Sequence, residues 1–214
     1  MSATDFLVFD LDGTISDPVA GIGRSINHAL ERCGYPTIAE HEVSAFVGPP
    51  LDRTFRSIVG PVTDARIVEL VARYRERYAD VGFSENVLYP GIAEALQRLD
   101  EAGVALGVCT SKPAGFAERI LRLFDIRDHF RFISGGDVGI AKVDQLASLL
   151  AEGRVAPSST MIGDRAIDVM AAKANGMVSV GVLWGHGSRA ELQAAAPDFL
   201  LESPFQLLEH AALT

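Results

Sequence analysis

Four small polar clusters in this chain each follow an apolar stretch, and together they could do metal-assisted chemistry on an anionic group. Asp10 and Asp12 end the first stretch, Phe6-Leu7-Val8-Phe9. Thr110, Ser111 and Lys112 end a second, and Lys142 comes some residues after a third. Gly163-Asp164 ends a fourth, with Asp168 one helical turn further on. Clusters at successive strand ends of a parallel sheet converge on one crevice at the carboxyl edge. Three or four carboxylates gathered there repel strongly unless a cation is present. A few hard oxygen ligands favour Mg²⁺, which keeps several waters and shares a phosphate oxygen with its substrate.

Elements of two kinds must position these groups. Short continuous apolar runs read as buried strands: Phe6–Phe9, Val104–Cys109, Phe130–Ser134, Thr160–Ile162, Val178–Leu183 and Phe199–Leu201. Helical spacing falls between them, at Ile92–Glu101, Phe116–Phe124, Val143–Leu150, Ala166–Asn175 and Arg189–Ala195. Strands alternating with helices predict an α/β fold with a Rossmann-like parallel sheet. The pattern is interrupted once. After the first strand, residues 16–87 are mostly helical, broken at Gly48-Pro49-Pro50 and Gly60-Pro61. The expected division is a core of residues 1–15 and 88–214 with a small α-helical cap of residues 16–87. A helical insertion just after the first strand would hang over the carboxyl edge and act as a lid.

Composition narrows the partners. The 214 residues carry a formal charge of −9, with a pI near 5.0 and mean hydropathy +0.20. There is enough apolar material for a core and no positive field to collect a phosphate backbone, so a nucleic acid polymer or an anionic membrane is not an expected partner. Two cysteines, Cys33 and Cys109, suggest no disulfide framework. Met1-Ser2-Ala3-Thr4-Asp5 does not read as a secretory leader, and no apolar run reaches the length of a membrane span. The expectation is a cytoplasmic protein, monomer or small homo-oligomer, and its acidity does not exclude a small anionic substrate bound through a metal ion or a local pocket.

Asp10-x-Asp12-Gly13-Thr14, then Thr110, Lys142 and Gly163-Asp164-x-x-x-Asp168 resemble, in order and spacing, the haloacid-dehalogenase-like superfamily. Phe46-Val47-Gly48-Pro49-Pro50-Leu51 and Gly181-Val182-Leu183-Trp184-Gly185 resemble its phosphoglycolate-phosphatase-like branch. The resemblance implies a Mg²⁺-dependent phosphatase acting on a small phosphorylated metabolite through an aspartyl-phosphate, with phosphoglycolate or a nucleoside 5′-monophosphate as substrate. It makes Asp10 the nucleophile and Asp12 the general acid and then base. It has Thr110 donate a hydrogen bond to a phosphoryl oxygen and Lys142 neutralise charge there. It places Asp10, the Asp12 backbone carbonyl and Asp164 on the metal, with Asp168 orienting Asp164 or a metal-bound water. Where many relatives have Lys-Pro, this chain has Lys142-Val143, which reads as variation within the branch.

Three other chemistries compete. A sugar phosphomutase of the same superfamily would use Asp10 but return the phosphoryl group to a second hydroxyl. A dehalogenase needs neither an acid two residues on nor a metal. A receiver-like phospho-acceptor has no use for a helical lid that excludes water. Ser111, Gly48, Arg24 and Arg53 are candidate substrate contacts. Lys112 either points to solvent or assists the phosphate. Tyr74, Arg75, Arg77 and Tyr78 read as a solvated helix face, and Cys109 as an inert core thiol.

Overall fold

The computed structural model describes residues 5–136 and 139–212. Residues 1–4, on which most of the leader reading rests, and the outer ends of the expected core lie outside them. Strand β1 (Phe6–Phe9) is buried along its whole length. Its side chains alternate between two cores: Leu7 and Phe9 face one cluster, Phe6 and Val8 the other. That two-sided burial is why the run is apolar throughout rather than alternating.

The chain then leaves the sheet. Strand β2 (Ser16–Asp17) leads into helices α1 (Val19–Arg32), α2 (Leu51–Val59) and α3 (Asp64–Asp80), with a 3₁₀ segment at Glu40–Phe46. Their apolar faces bury one another rather than the sheet: Ile22, Ile26, Phe55, Leu70, Tyr74 and Tyr78 share a cluster of their own. Thr63 caps α3, its hydroxyl accepting the Arg66 N–H at 3.3 Å. Strand β3 (Val87–Leu88) brings the chain back and pairs antiparallel with β2, Ser16 opposite Leu88 and Asp17 opposite Val87. Exit and return are therefore adjacent.

The remainder is α4 (Ile92–Glu101), β4 (Ala105–Thr110), α5 (Ala114–Leu123), β5 (Phe130–Gly135), α6 (Lys142–Ala151), β6 (Thr160–Gly163), α7 (Ala166–Ala174), β7 (Val178–Val182), α8 (Arg189–Ala195), β8 (Phe199–Leu201) and α9 (Gln206–Ala211). Among the described residues the main sheet has six strands in the order β5-β4-β1-β6-β7-β8, all parallel. The chain builds outward from β1 through β4 to β5, then crosses back to β6 on the other side. This makes β1 a topological switch point, where open parallel sheets form their binding crevice. Residues of α4, α5 and α9 cover one face, and residues of α6 and α7 the other. No helix among the described residues is long and apolar enough to cross a membrane.

Leu96 of α4 is fully buried in the larger core. Leu96→Ala should cost about 2–5 kcal/mol, lost methylenes plus the cavity they leave. Urea unfolding should show a lower midpoint at unchanged slope.

Candidate active site

Asp10 is the first residue beyond β1, and its N–H still bonds the Ile162 carbonyl of β6 at 2.8 Å. That bond fixes the backbone from which the carboxylate projects. Asp10 is buried, and its Oδ1 accepts the Leu11 N–H at 2.8 Å. Its Oδ2 lies 2.9 Å from Lys142 Nζ. Lys142 opens α6 and also binds Asp168 Oδ1. Burial lowers the Lys142 pKa, but the Asp10 and Asp168 carboxylates outweigh it, so the net shift is upward and the ammonium stays charged.

Asp164 follows β6 and is fully buried. Its Oδ2 accepts the His186 N–H at 2.8 Å, and its Oδ1 the Thr14 hydroxyl at 3.4 Å. The Asp12 loop packs directly on it. A Cβ on Gly13 would lie 2.2 Å from Asp164 Oδ2, and Gly13 has φ +87°, so only glycine fits. Asp168 lies in the first turn of α7, where its Oδ2 accepts the Arg165 N–H at 3.0 Å. One carboxylate thus caps the helix and holds Lys142. Oxygens of Asp10, Asp164 and Asp168 lie within 4.8 Å of one another. Burial, with Asp168 and Asp10 close by, pushes the Asp164 carboxyl up to about 7.

The charge balance bears on a metal. Among the described residues, the buried charged side chains are Asp10, Asp12, Asp164, Asp168, Lys112 and Lys142. All belong to this crevice. When ionised, they leave two negative charges in excess, which one divalent cation would balance. The donors are hard carboxylate oxygens, the ligands that suit Mg²⁺. The residues present fit such an ion.

Asp12 stands on the other side of Asp10. Its Oδ2 lies 2.8 Å from Lys112 Nζ. Its Oδ1 is buried with no hydrogen-bond partner among the described residues. Burial raises the Asp12 pKa, and Lys112 opposes that rise. Thr110, the last residue of β4, accepts the Lys112 N–H on its Oγ1 at 3.2 Å; that bond leaves the hydroxyl proton unused. The Thr110 carbonyl is held by Gly136 N–H at 2.8 Å and Gln145 Nε2 at 3.2 Å. Gln145 had no signal in the sequence, being an ordinary polar residue one turn beyond Lys142. Cys109, next to Thr110, faces the core, where burial pushes its thiol up to about 12.

A cavity opens over Asp10, Asp12, Thr110, Ser111 and Lys112 and is closed by the helical insertion. Ile22, Phe46, Leu51, Tyr74, Tyr78 and Phe116 form its far wall, and Gly48-Pro49-Pro50 and Arg75 also line it. Here the expected solvated face on α3 is corrected. Tyr74 and Tyr78 are buried and stack with ring centroids 5.3 Å apart. Arg77 binds Glu85 at 2.9 Å. Lys112 is buried rather than pointing to solvent. The structure does not bring Arg24 and Arg53 to this cavity. Arg24 binds Glu85 at 2.6 Å on an exposed face. Arg53 lies in a separate cleft beyond the Gly48 loop, with Arg165 and Ile167. Arg165 ties that loop to the core, donating to Val47 O at 2.6 Å while binding Glu191 at 2.9 Å.

Known proteins resemble this chain over most of its length. The chain is 40% identical over 195 residues to a 5′-nucleotidase of Pseudomonas aeruginosa, covering 89% of this chain and 88% of the relative. It is 40% identical over 212 residues to the tyrosine-protein kinase PtkA of Mycobacterium tuberculosis, covering 96% of this chain and 68% of that one. The crystal structure of a predicted phosphatase from Clostridium acetobutylicum superposes with a TM-score of 0.91 at 30% identity, over 100% of both chains. The family model for haloacid dehalogenase-like hydrolases matches residues 7–182, from β1 through Asp10, Thr110, Lys142 and Asp164 to the end of β7. The chain therefore belongs to the haloacid dehalogenase-like hydrolase family.

Proposed function

We propose that the chain is a Mg²⁺-dependent phosphomonoester hydrolase whose nucleophile is Asp10. The observation that carries this reading is the crevice at β1, where Asp10 is held between Lys142 and the Asp164 side of the site. A carboxylate oxygen of Asp10 attacks phosphorus in line, and the ester P–O bond breaks. Asp12 gives its proton to the departing alkoxide. As a carboxylate it then takes a proton from the water that attacks the aspartyl-phosphate, so phosphate leaves and Asp10 is restored. A raised Asp12 pKa suits the first role, and its unpartnered Oδ1 suits both. Thr110 and Lys142 bind the phosphoryl oxygens, and Ser111 lines the same end of the cavity. Asp10, Asp164 and the Asp12 carbonyl would hold Mg²⁺, with Asp168 orienting the set. The ion, when bound, neutralises phosphoryl charge and aligns the group for displacement. Residues 16–87 act as the cap that excludes water.

The far wall of the cavity supports a substrate class. Ile22, Phe46, Leu51, Tyr74, Tyr78 and Phe116 suit an uncharged, planar leaving group. Lys112, a cation at the opposite end of the cavity, is already bonded to Asp12. A nucleoside 5′-monophosphate fits this surface better than phosphoglycolate, whose leaving group carries a carboxylate. A second reading rests on the PtkA likeness: Asp10 passes its phosphoryl group to a hydroxyl other than that of water.

A panel of phosphorylated metabolites assayed with Mg²⁺ tests both points. Phosphate release should match substrate consumption, and kcat/KM for a nucleoside 5′-monophosphate should exceed that for phosphoglycolate by about tenfold or more, the size of one buried apolar contact. The reverse order would move the specificity to Arg75. Consumption without phosphate release would favour transfer. Asp10→Asn should lower kcat by about 10³-fold or more while leaving the circular dichroism spectrum unchanged; retained turnover refutes the nucleophile. Removing divalent cation with a chelator should abolish activity, Mg²⁺ should restore it, and Ca²⁺ should not, because its looser coordination misplaces the reacting groups.

A further inference from the structure

Lys112 does more than neutralise charge, because its ammonium joins the two parts of the molecule. Nζ lies 2.8 Å from Asp12 Oδ2 and donates to the Tyr78 hydroxyl at 2.5 Å. Asp12 and Lys112 belong to loops at the sheet edge, whereas Tyr78 belongs to α3 of the helical insertion. Tyr78 in turn accepts from Asn86 Nδ2 at 3.4 Å, and Asn86 Oδ1 accepts from the Ser16 hydroxyl at 3.2 Å. Ser16 begins β2 and Asn86 immediately precedes β3, so this end of the chain lies where the insertion joins the core. Asp12, Lys112, Tyr78, Asn86 and Ser16 are all buried.

A buried ammonium needs its acceptors, since an unmet donor there costs far more than one in water. Lys112 has one acceptor on each side of the cavity. Moving α3 away from the sheet removes the Tyr78 acceptor. The position of the ammonium, and of the Asp12 carboxylate bonded to it, therefore depends on whether α3 is seated. Asp12 Oδ2 is held by this bond while Oδ1 is left facing no partner, which is the arrangement a proton donor to a bound leaving group requires.

We propose that Lys112 is a positioning residue for Asp12, and that Tyr78 sets it, so that seating of the helical insertion places the acid–base carboxylate. The proposal rests on the hydrolase reading above and adds the coupling between insertion and acid. Tyr78 acts through Lys112, and its ring meanwhile packs against Tyr74 and Phe116. Tyr78→Phe keeps that packing and removes only the hydroxyl.

The test uses the full chain with Mg²⁺ and two substrates. An alkyl phosphomonoester needs its leaving oxygen protonated, and p-nitrophenyl phosphate does not. Tyr78→Phe should lower kcat on the alkyl ester about tenfold or more, and by at least about fivefold more than on p-nitrophenyl phosphate, as expected for a misplaced acid. Lys112→Met should show the same pattern with a larger loss, and Lys112→Arg should recover part of it. In an Asp12→Asn background, Tyr78→Phe should add less than about twofold on the alkyl ester, since residues acting as one unit are not additive. Equal losses on the two substrates, or full additivity with Asp12→Asn, would overturn the coupling while leaving the hydrolase reading intact. Absence of phosphate release by the unaltered protein from every ester would instead overturn that earlier reading.

Discussion

Lys142 lies almost wholly out of water between two carboxylates, Asp10 and Asp168. Taking three ionised groups from water costs several kcal/mol each, and only close mutual contact offsets it. The arrangement holds because each member has a second attachment. Asp10 takes the Leu11 N–H, Asp168 takes the Arg165 N–H, and Lys142 is the first residue of a helix. Of the two excess buried negative charges, one belongs to this triad and the other to Asp164. A site built this way is organised before any ligand arrives, which is what electrostatic stabilisation of a charged transition state requires.

The sheet order explains why these groups meet. β1 lies between β4 and β6, the strands that begin the two opposite directions of chain travel. Their carboxyl ends present Asp10, Thr110 and Asp164 side by side although the residues are widely separated along the chain. Only backbone without a Cβ permits such close approach at Gly13. The insertion leaves and re-enters on the same edge, so it supplies most of the far wall of the cavity, with Phe116 of α5 completing it, without interrupting the ladder.

Much of this was legible in the sequence because a buried parallel strand writes itself as a continuous apolar run. The polar residue that ends the run is then at the carboxyl edge, which located Asp10, Asp12, Thr110 and Asp164. Asp168 was placed one helical turn beyond Asp164, and Lys142, some residues past its strand, drew its role from the family resemblance. The inner wall was harder to read. Tyr74 and Tyr78 sit among arginines in the sequence, and only packing reveals which side of α3 is covered. Arg24 and Arg53 were attractive as cations in the insertion, yet charge says nothing of whether Glu85 has already claimed one of them. Lys112 was ambiguous for the same reason, since its acceptor Tyr78 comes from a distant segment.

The two-residue ladder between β2 and β3 has a consequence for how such a molecule can change. Because the chain departs and returns at neighbouring points, whatever lies between them closes a loop whose ends are already together, and lengthening that loop adds little entropic cost. Segments of quite different size or sequence could be exchanged there without altering the strand order. The reactive centre and the recognition surface can thus diverge at separate rates, one conserving its chemistry while the other samples new leaving groups.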